Sequence, residues 1–596
     1  MPVCSPCDDN LAKTWRAERG RIRLVKSVLT LFAISAFFGA HALASESRPN
    51  VLFIAVDDLN DWIGCLGGHP QTKTPNFDRL AKSGVLFTNA YCAAASCNPS
   101  RTAIFSGRPP HRSGLYQNMQ KMREVMPEAE LLPRYFSRHG YWSAGSGKML
   151  HYVIDPPSWD DYFPDKAKDD PFPHTFYPKQ RPVNLPRAGD WQYVETDWAA
   201  LEVSDEEFGG DWSVTKWIGE QLGRPHEKPF FLACGLYRPH EPWFVPKKYF
   251  EPFPLETIRT GPGVQEGDLD DVPPLGQKLG RNRYFAHIQA HGQWKKGIQA
   301  YLASIHFADA MLGRVLDALE TSPHRDNTIV VLWSDHGWHL GEKEHWQKFT
   351  GWRACSRVPL MVRVPRGAAG LPEGTQAGSV CLRPVSLVDL YATLTELCGL
   401  PAKTDIESRS LVPLLRDPAA AWPHAALTHL DDPGNYALST ERWRYIHYRD
   451  DSEELYDIQT DPHEWTNLAS KPEHAERLAE MRLLEPKEIV PVHESQPGIN
   501  TFVAELELGP VIGTEPPNSK AGGQRVTLLF QNHRQTTTKL VWLDQTGARH
   551  AYGEVKGASR RLMKTYSGHT WLLLDENDKP LGHIVAPEKP ARIKIQ

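Results

Sequence analysis

Three apolar runs of this chain end in ionisable residues, and this arrangement constrains the fold more than any other feature. The runs are Asn50–Val56, Pro229–Leu236 and Thr328–Trp333, and each is continuously hydrophobic, as strands buried on both faces of a parallel sheet are. The polar residues that follow them are Asp57 and Asp58, Arg238 and His240, and Asp335 and His336. Because open α/β sheets bind ligands outside the carboxyl ends of their strands, these groups are expected to meet in one site.

Helical patterns separate these runs. Thr74 is followed by Pro75 and by apolar residues at helical spacing, which is typical of a helix start. Long helical periodicity also covers Ile298–Leu319 and Val385–Cys398. The alternation of strands and helices predicts an α/β fold.

The amino terminus has the pattern of a secretory signal. A basic segment from Arg16 to Lys26 precedes the apolar run Val28–Phe38, and Ala42–Ala44 offers a small-residue cleavage site. The alternative is a membrane anchor, but the apolar run is shorter than the ~20 residues that span a bilayer. We therefore expect an exported protein, periplasmic or secreted, with residues 1–44 removed. The net charge of −5 gives no case for a nucleic-acid partner.

The residue types at the strand ends suit a metal site. Asp57, Asp58 and Asp335 supply carboxylates of the kind that Ca²⁺ and Mg²⁺ prefer, whereas His336 is an unusual ligand for either ion. Taken alone, an Asp-Asp pair after a strand is usually a turn or a helix cap. Its pairing with Asp335 and His336, and with Cys97, favours the metal site.

The segment Cys97-Asn98-Pro99-Ser100-Arg101 places a thiol and a fixed cation at a predicted helix start. Pro99 suits the first turn, a helix amino terminus presents N–H groups to an anion, and Arg101 adds planar charge. The alternative is a buried thiol beside a helix cap. Four further side chains are candidates, although each alone is more often an ordinary surface group: Lys148, His151, His240 and Lys348.

The run from Cys97 to Gly107 resembles the signature of the type I sulfatases, a family of the alkaline phosphatase superfamily. The resemblance extends from about Pro49 to Leu484, and within the family the iduronate-2-sulfatase branch is the most similar. The other matching segments are Val56–Leu59, Thr74–Asn76, Gly147–His151, Phe230–His240 and Ser334–Lys348. It implies an α/β, alkaline-phosphatase-like sulfatase fold, with a large mixed sheet flanked by helices and a small C-terminal antiparallel subdomain.

The resemblance also implies the chemistry of a sulfuric ester hydrolase. A maturing enzyme converts Cys97 to formylglycine, whose hydrate attacks the sulfur of a sulfated carbohydrate such as a 2-O-sulfated uronate. The implied ligands of a Ca²⁺ ion, or of Mg²⁺ in its place, are Asp57, Asp58, modified Cys97, Asp335 and His336.

The same resemblance assigns roles to the remaining candidates. Arg101 and Lys148 stabilise the modified side chain, and His151 assists breakdown of the sulfated intermediate. His240 and Lys348 contact sulfate, and one of them protonates the leaving oxygen.

The last part of the chain, from about Arg525, has short strands separated by turns and predicts an appended β-sandwich. It resembles the von Hippel–Lindau β domain through Val541–Asp544, Tyr552 and Thr565–Trp571. The resemblance implies a pocket for a hydroxyproline-containing or glycoprotein ligand, formed by Trp542, Tyr552, Thr565, His569 and Trp571. The alternative is that these aromatic side chains only build the core of the sandwich.

The predicted division of the chain has five parts. They are a signal peptide (1–44), a sulfatase catalytic domain (45–400), its C-terminal subdomain (401–486), a linker (487–523) and a von Hippel–Lindau-β-like sandwich (524–596). Six cysteines between Cys65 and Cys398, besides Cys97, either form disulfides or stay as buried thiols.

Two questions stay open in the sequence. The rival functions are a phosphodiester or phosphonate monoester hydrolase of the same superfamily and a non-catalytic glycan-binding protein. The insertion from Val153 to Gly210 and its border carry four tryptophans that either line a glycan pocket or form a small core, namely Trp159, Trp191, Trp198 and Trp212.

Overall fold

The structure is a computed structural model that describes residues 48–178, 184–185, 196–493, 504–506, 516–521, 523, 525–557, 559–588 and 591–596. The predicted signal peptide and Trp191 lie outside the described residues. Within those ranges, no helix has both the length and the apolar character needed to cross a membrane.

The centre of the protein is an eight-stranded mixed sheet. Its strands are β1 (Asn50–Val56), β2 (Val85–Phe87), β3 (Trp142–Gly147), β4 (Asp161–Phe163), β5 (Phe230–Leu236), β6 (Thr328–Ser334), β7 (Leu360–Arg363) and β8 (Ser379–Cys381). They lie in the order β8-β2-β7-β6-β1-β5-β3-β4. Strands β6, β1, β5, β3 and β4 are parallel, and β7 runs antiparallel to both neighbours. The three apolar runs are therefore adjacent parallel strands, which confirms the predicted mixed sheet.

Helices cover both faces of this sheet. They are α1 (Pro75–Ser83), α2 (Cys97–Ser106), α3 (Pro110–Ser113), α4 (Met122–Val125), α5 (Leu132–Arg138), α6 (Asp205–Phe208), α7 (Asp211–Leu222), α8 (Pro274–Gly280), α9 (Arg283–Ala290), α10 (Trp294–Glu320), α11 (Arg353–Ser356), α12 (Leu390–Leu397) and α13 (Val412–Arg416). Shorter paired strands are Ala90–Tyr91, Trp198–Leu201, Trp243–Pro246, His339–Leu340, Trp346–Gln347 and Val385–Ser386.

Alternation along β1 shows how the core is divided. Leu52, Ile54 and Val56 join the cluster that includes residues of α7 and α10, whereas Val51, Phe53 and Ala55 join the cluster that includes residues of α2, α5 and α12. Successive strand side chains point to opposite faces, so a strand without polar residues fits only a sheet that is covered on both sides.

One predicted helix is shorter than its periodicity indicated. Val385 and Ser386 form a short strand, and α12 begins only at Leu390. The Ser386 hydroxyl accepts the N–H of Val388 and caps a turn of 3-10 helix at Leu387–Asp389. This side-chain bond offers the backbone an alternative to the helix at its predicted first turn.

The C-terminal subdomain is a four-stranded antiparallel sheet, as the resemblance implied. Its strands are β9 (Ala426–His429), β10 (Tyr436–Ser439), β11 (Trp443–His447) and β12 (Glu453–Asp457), paired in chain order. Helix α14 (Ala475–Arg482) follows and packs its Leu478 and Met481 against this sheet.

The last unit is a sandwich of two four-stranded sheets. Its strands are β13 (Ala504–Leu506), β14 (Arg525–Asn532), β15 (Thr538–Leu543), β16 (Arg549–Val555), β17 (Arg560–Tyr566), β18 (Thr570–Leu574), β19 (Pro580–Val585) and β20 (Ala591–Ile595). One sheet has the order β13-β20-β14-β17 and the other β16-β15-β18-β19. Strand β16 has mostly polar and exposed residues, so it carries little of the hydrophobic alternation by which a strand is recognised in a sequence.

Candidate active site

The predicted site residues converge at the carboxyl edge of the central sheet. Asp57 and Asp58 follow β1, Lys148 follows β3, and Asp335 follows β6. Carboxylate oxygens of the three aspartates lie within 4.8 Å of one another. Adjacent parallel strands end at the same edge, so this meeting is a direct consequence of the strand order.

Cys97 is the first residue of α2 and is 1% exposed. Its Sγ lies 3.0 Å from Lys348 Nζ, 3.2 Å from His336 Nε2 and 3.7 Å from Lys148 Nζ. Burial opposes ionisation of the thiol, but the positive charges of Lys148 and Lys348 outweigh it and hold the Cys97 pKa well below its usual range. An anion at this position is therefore stabilised from several sides.

Arg101 ties the nucleophile helix to two strand ends. Its guanidinium is fully buried and donates from Nε to Asp335 Oδ2 at 2.8 Å and from Nη2 to Asp57 Oδ1 at 2.9 Å. Nη1 donates to the backbone carbonyls of Lys148 and Met149. A helix brings residue i+4 onto the same face as residue i, so Arg101 lies beneath Cys97 and is saturated with acceptors.

Lys148 completes the neutralisation of Asp57. Its Nζ donates to Asp57 Oδ2 at 2.5 Å. Burial opposes ionisation of this carboxyl, but Lys148 and Arg101 hold its pKa far below the usual range. Asp57 is therefore a permanent anion that aims one oxygen at each of two cations.

Asp58 is held in an unusual conformation with one oxygen left over. Its φ of 57° is left-handed, and its Oδ1 accepts Lys348 Nζ at 2.8 Å. Its buried Oδ2 accepts no hydrogen bond from the described residues, and His240 Nε2 lies 3.7 Å from it. A buried carboxylate oxygen without a donor beside two other carboxylates fits a hard divalent cation.

Two histidines present the same ring nitrogen to the site. His240 Nδ1 lies 2.6 Å from the Glu241 carbonyl, and His336 Nδ1 lies 3.1 Å from the Gly337 carbonyl. Because a carbonyl only accepts, each Nδ1 carries a proton and each Nε2 faces the cluster around Cys97. For His336 this orientation suits a metal ligand, and for His240 it suits contact with an incoming ester.

His151 lies beside the nucleophile, close enough to help lower the pKa of the Cys97 thiol. Burial lowers the pKa of His151, against a smaller opposing effect of Cys97. A neutral imidazole in this position is able to accept a proton. With His151, the structure brings every predicted catalytic and metal-binding residue into one buried site.

Two buried residues support the site that sequence reasoning did not find. The Tyr301 hydroxyl donates to the Asp58 carbonyl at 2.8 Å and accepts the Asn60 N–H at 3.0 Å. The Asp211 carboxylate accepts the N–H groups of Tyr237 and Arg238 at 2.7 and 2.9 Å and fixes the loop that leads to His240. Both lie inside helical sequence far from the motifs, so no local pattern marks them.

The tryptophans of the insertion form core rather than a pocket. Trp159 is 3% exposed and packs on Tyr162, and Trp198 is 4% exposed and stacks on Trp243. Trp212 packs against the same core as Trp198 and contacts the Arg314 guanidinium. Of the two interpretations of these residues, the structure favours the core for the three that it describes.

The five predicted residues of the sandwich pocket also lie together. Trp571 Nε1 donates to Thr565 Oγ1 at 3.1 Å, and Thr565 Oγ1 lies 3.2 Å from His569 Nδ1. The Trp542 ring lies 5.2 Å from the His569 ring, and Tyr552 meets Trp571 edge-on at 4.9 Å. The cavity between them has a volume of about 10 Å³, enough for one water. Trp571 itself is 2% exposed and belongs to the sandwich core.

Three family models match the chain. A sulfatase model matches residues 49–400, a model of the C-terminal part of N-sulphoglucosamine sulphohydrolase matches 341–487, and a von Hippel–Lindau β-domain model matches 518–583. The first covers more than half of the chain and all residues of the site described above.

Individual relatives agree with these models. A sulfatase of Formosa agariphila is 39% identical, with 74% of this chain and 87% of that protein covered. Iduronate 2-sulfatase of Mus musculus is 31% identical, with 71% and 82% covered. A structure of a protein in complex with its substrate D-glucosamine-2-N,6-O-disulfate superposes with a TM-score of 0.56 at 24% identity, covering 74% of this chain and 97% of that one, which supports the same fold. The chain belongs to the sulfatase family and is a sulfuric ester hydrolase.

Proposed function

We propose that this enzyme removes sulfate from a sulfated carbohydrate, with a 2-O-sulfated uronate as the candidate group, through a formylglycine made from Cys97. The observation that carries the proposal is the position of the Cys97 side chain, which is buried at a helix start with two lysines and a histidine within 3.7 Å of its sulfur. Similarity to iduronate 2-sulfatase supports the choice of sugar.

The residues present fit the two groups that the family implies. Formylglycine, once formed and hydrated, supplies the oxygen that attacks sulfur, and Cys97 Sγ stands where its hydroxyls would lie. A divalent cation, for which we propose Ca²⁺, would be held by Asp57, Asp58, Asp335, His336 and residue 97 and would supply positive charge beside the sulfate. Asp58 Oδ2, which accepts no hydrogen bond within the described part of the chain, supports this ligand set.

The other side chains of the site divide the remaining tasks. Lys148 and Arg101 hold the nucleophile and its supporting carboxylates in place, and Lys348 is the cation closest to the reacting atoms. His240 offers Nε2 to the leaving oxygen, and His151 takes a proton when the sulfated enzyme breaks down. Stabilisation of charge that develops in a water-excluded site is the largest contribution that such an arrangement can make.

The mass of the peptide that contains Cys97, from protein of the native host, tests this proposal. We expect formylglycine, together with turnover of sulfate esters that is lost in Cys97→Ala. An unmodified cysteine in active protein would contradict the mechanism, and sulfated glycan binding without turnover would favour the non-catalytic alternative.

We further propose that the enzyme is exported with residues 1–44 removed. The support is the basic-apolar-small pattern of the amino terminus. Amino-terminal sequencing of the mature protein should begin at Ser45, and a retained Met1 would contradict it. The predicted division at 400, 486 and 523 stays a prediction, and limited proteolysis should cleave first within 487–523.

For the sandwich we propose a ligand that contains hydroxyproline, on a protein or glycoprotein. The support is the meeting of Thr565, His569 and three aromatic rings around one small cavity. The double variant Trp542→Ala, His569→Ala should lose binding to a hydroxyproline peptide while sulfatase activity on a small ester is kept. Equal binding by the variant and the parent protein would remove the proposal.

A further inference from the structure

A larger cavity shares one residue, Lys148, with the candidate active site. Its volume is about 330 Å³, within the range of ligand sites, and it lies at the carboxyl ends of β3 and β5. Lys148 lines it while holding its Nζ 3.7 Å from Cys97 Sγ, so one side chain belongs to both the cavity and the catalytic centre. A molecule in this cavity would therefore lie one side chain away from residue 97.

The walls of this cavity are aromatic. Four rings line it, those of Tyr152, Phe172, Tyr177 and Tyr237. Phe172 lies 5.3 Å from both the Tyr152 and the Tyr237 ring, and Tyr237 continues to His240 at 4.7 Å. The rings therefore form a continuous surface from the solvent side of the cavity to a catalytic histidine.

Two of these tyrosines are also tied to the catalytic lysine. Lys148 Nζ lies 4.9 Å from the Tyr152 ring centre and 5.5 Å from that of Tyr237. The two tyrosine hydroxyls lie 3.4 Å apart. Since a ring face attracts cations, these contacts hold both rings against Lys148. The Tyr237 hydroxyl also donates to the Glu241 carbonyl at 3.1 Å, which fixes the position of that ring in the cavity wall.

Folding alone accounts poorly for these side chains. Tyr152 is 41% exposed and Tyr177 is 50% exposed. Tyr152 also has a φ of 59°, which is rare for a bulky residue and costs roughly 1–3 kcal/mol. Residues held in such conformations concentrate at ligand sites, and here the strained residue is the one next to His151.

We propose that this aromatic cavity binds the pyranose ring of the sulfated saccharide whose sulfate is presented to residue 97. The inference rests on the proposed function and adds the residues that select a sugar. The C–H faces of a pyranose pack on the rings, because the ring face is negative, and its hydroxyls find the tyrosine hydroxyls. Specificity is thus assigned to Phe172 and Tyr177, which do not touch Lys148, rather than to the tryptophans of the insertion.

The test compares a sugar substrate with one that has no sugar. Phe172→Ala and Tyr177→Ala are prepared in the full, formylglycine-matured chain, and kcat/KM is measured on sulfated disaccharides, including a 2-O-sulfated uronate, and on 4-nitrophenyl sulfate. We expect the kcat/KM of each variant to fall about tenfold on the disaccharide, mainly through a higher KM, and less than about twofold on the aryl ester. Phe172→Tyr, which keeps an aromatic ring at this position, should retain most of the kcat/KM that Phe172→Ala loses.

The control is Tyr284→Ala, a half-buried tyrosine of α9 outside the cavity, which should leave the ratio of the two activities unchanged. Equal losses on both substrates, or no loss on the disaccharide, would overturn the inference with the proposed function intact. Cleavage of the aryl ester but of no sulfated saccharide by the parent protein would overturn the inference together with the proposed carbohydrate substrate. Absence of any turnover with formylglycine present would instead refute the proposed function. Thermal unfolding identifies a variant that does not fold, and Tyr177→Phe with Phe172→Leu then replaces it.

Discussion

Replacing His240 by Ala should slow the cleavage of sugar sulfates much more than that of aryl sulfates. His240 Nδ1 is fixed to the Glu241 carbonyl at 2.6 Å, so Nε2 is aimed at the space above Cys97 where the ester oxygen would lie. A sugar alkoxide is a poor leaving group and needs a proton, whereas 4-nitrophenolate does not. Positioned proton donors contribute about 10²–10⁴-fold, or roughly 3–5 kcal/mol, and this is the selective loss expected.

Lys348 should behave differently. Its Nζ lies 3.0 Å from Cys97 Sγ and 2.8 Å from Asp58 Oδ1, so we expect it to neutralise charge on the sulfate group, which both substrates share. Lys348→Ala should therefore lose a similar factor on both, about 10²–10³, as when one stabilising donor is removed. The contrast between the variants separates a proton donor from a charge stabiliser.

The assay is kcat/KM for both substrates, normalised to the formylglycine content of each variant by mass. His291→Ala, an exposed histidine at the end of α9, is the matched control and should change neither value. If His240→Ala loses the same factor on both substrates while Lys348→Ala loses selectively on the sugar sulfate, the assignment of the two roles is wrong.

Three further predictions follow from the same structure. Chelation of the cation should lower both the activity and the unfolding temperature. Ca²⁺ at 100 times its Kd should then raise the free energy of unfolding, measured by calorimetry, by about 2.7 kcal/mol. Asp58→Asn should respond to neither treatment. Arg101→Lys should lower the free energy of unfolding by about 3–5 kcal/mol, because one ammonium group cannot reach both buried carboxylates. An unchanged midpoint of chemical denaturation would contradict this. Burial raises the pKa of Asp389 from 3.8 to about 6, so between these pH values the native state holds a proton on Asp389 that the unfolded state has lost. The contribution of Asp389 to the free energy of unfolding should therefore fall by roughly 3 kcal/mol as the pH rises from about 4 to 6. Asp389→Asn should flatten that slope in pH-dependent denaturation.

Features formed by residues that are contiguous in the chain could be predicted from the sequence, whereas features formed by distant residues could not. The strand β1 and the pair Asp57-Asp58 are contiguous, so the strand, its burial and its position at the sheet edge could all be read from one segment. The segment from Cys97 to Arg101 likewise lies within one helix turn and a half. Where the candidate residues are adjacent in the chain, pattern predicted the strands and their edge, and the resemblance to the sulfatase signature supplied the candidate chemistry.

The cavity beside Lys148 shows what could not be predicted. Tyr152 follows β3, Phe172 and Tyr177 belong to the insertion, and Tyr237 follows β5, so only the folded sheet brings them together. Trp198 and Trp212 looked like better sugar-binding residues by type, yet the strand pairing of Trp198–Leu201 with Trp243–Pro246 buries the first beneath Trp243. The presence of aromatic residues in a segment suggests a sugar-binding surface, but tertiary contacts determine which of those rings stay accessible.

Charge balance explains why this site suits an anionic ester. Among its aspartate, arginine and lysine side chains, the buried centre holds three carboxylates, Asp57, Asp58 and Asp335, and three cations, Arg101, Lys148 and Lys348. Each lysine and the arginine forms an ion pair with a carboxylate, so the charges of these six side chains sum to zero, which limits the cost of burying them. A divalent cation at Asp58 Oδ2 would shift this balance to an excess of two positive charges, matching a sulfate monoester together with an ionised hydroxyl at residue 97. Cation and ester should therefore bind with positive coupling, because each offsets the uncompensated charge of the other in a medium of low dielectric.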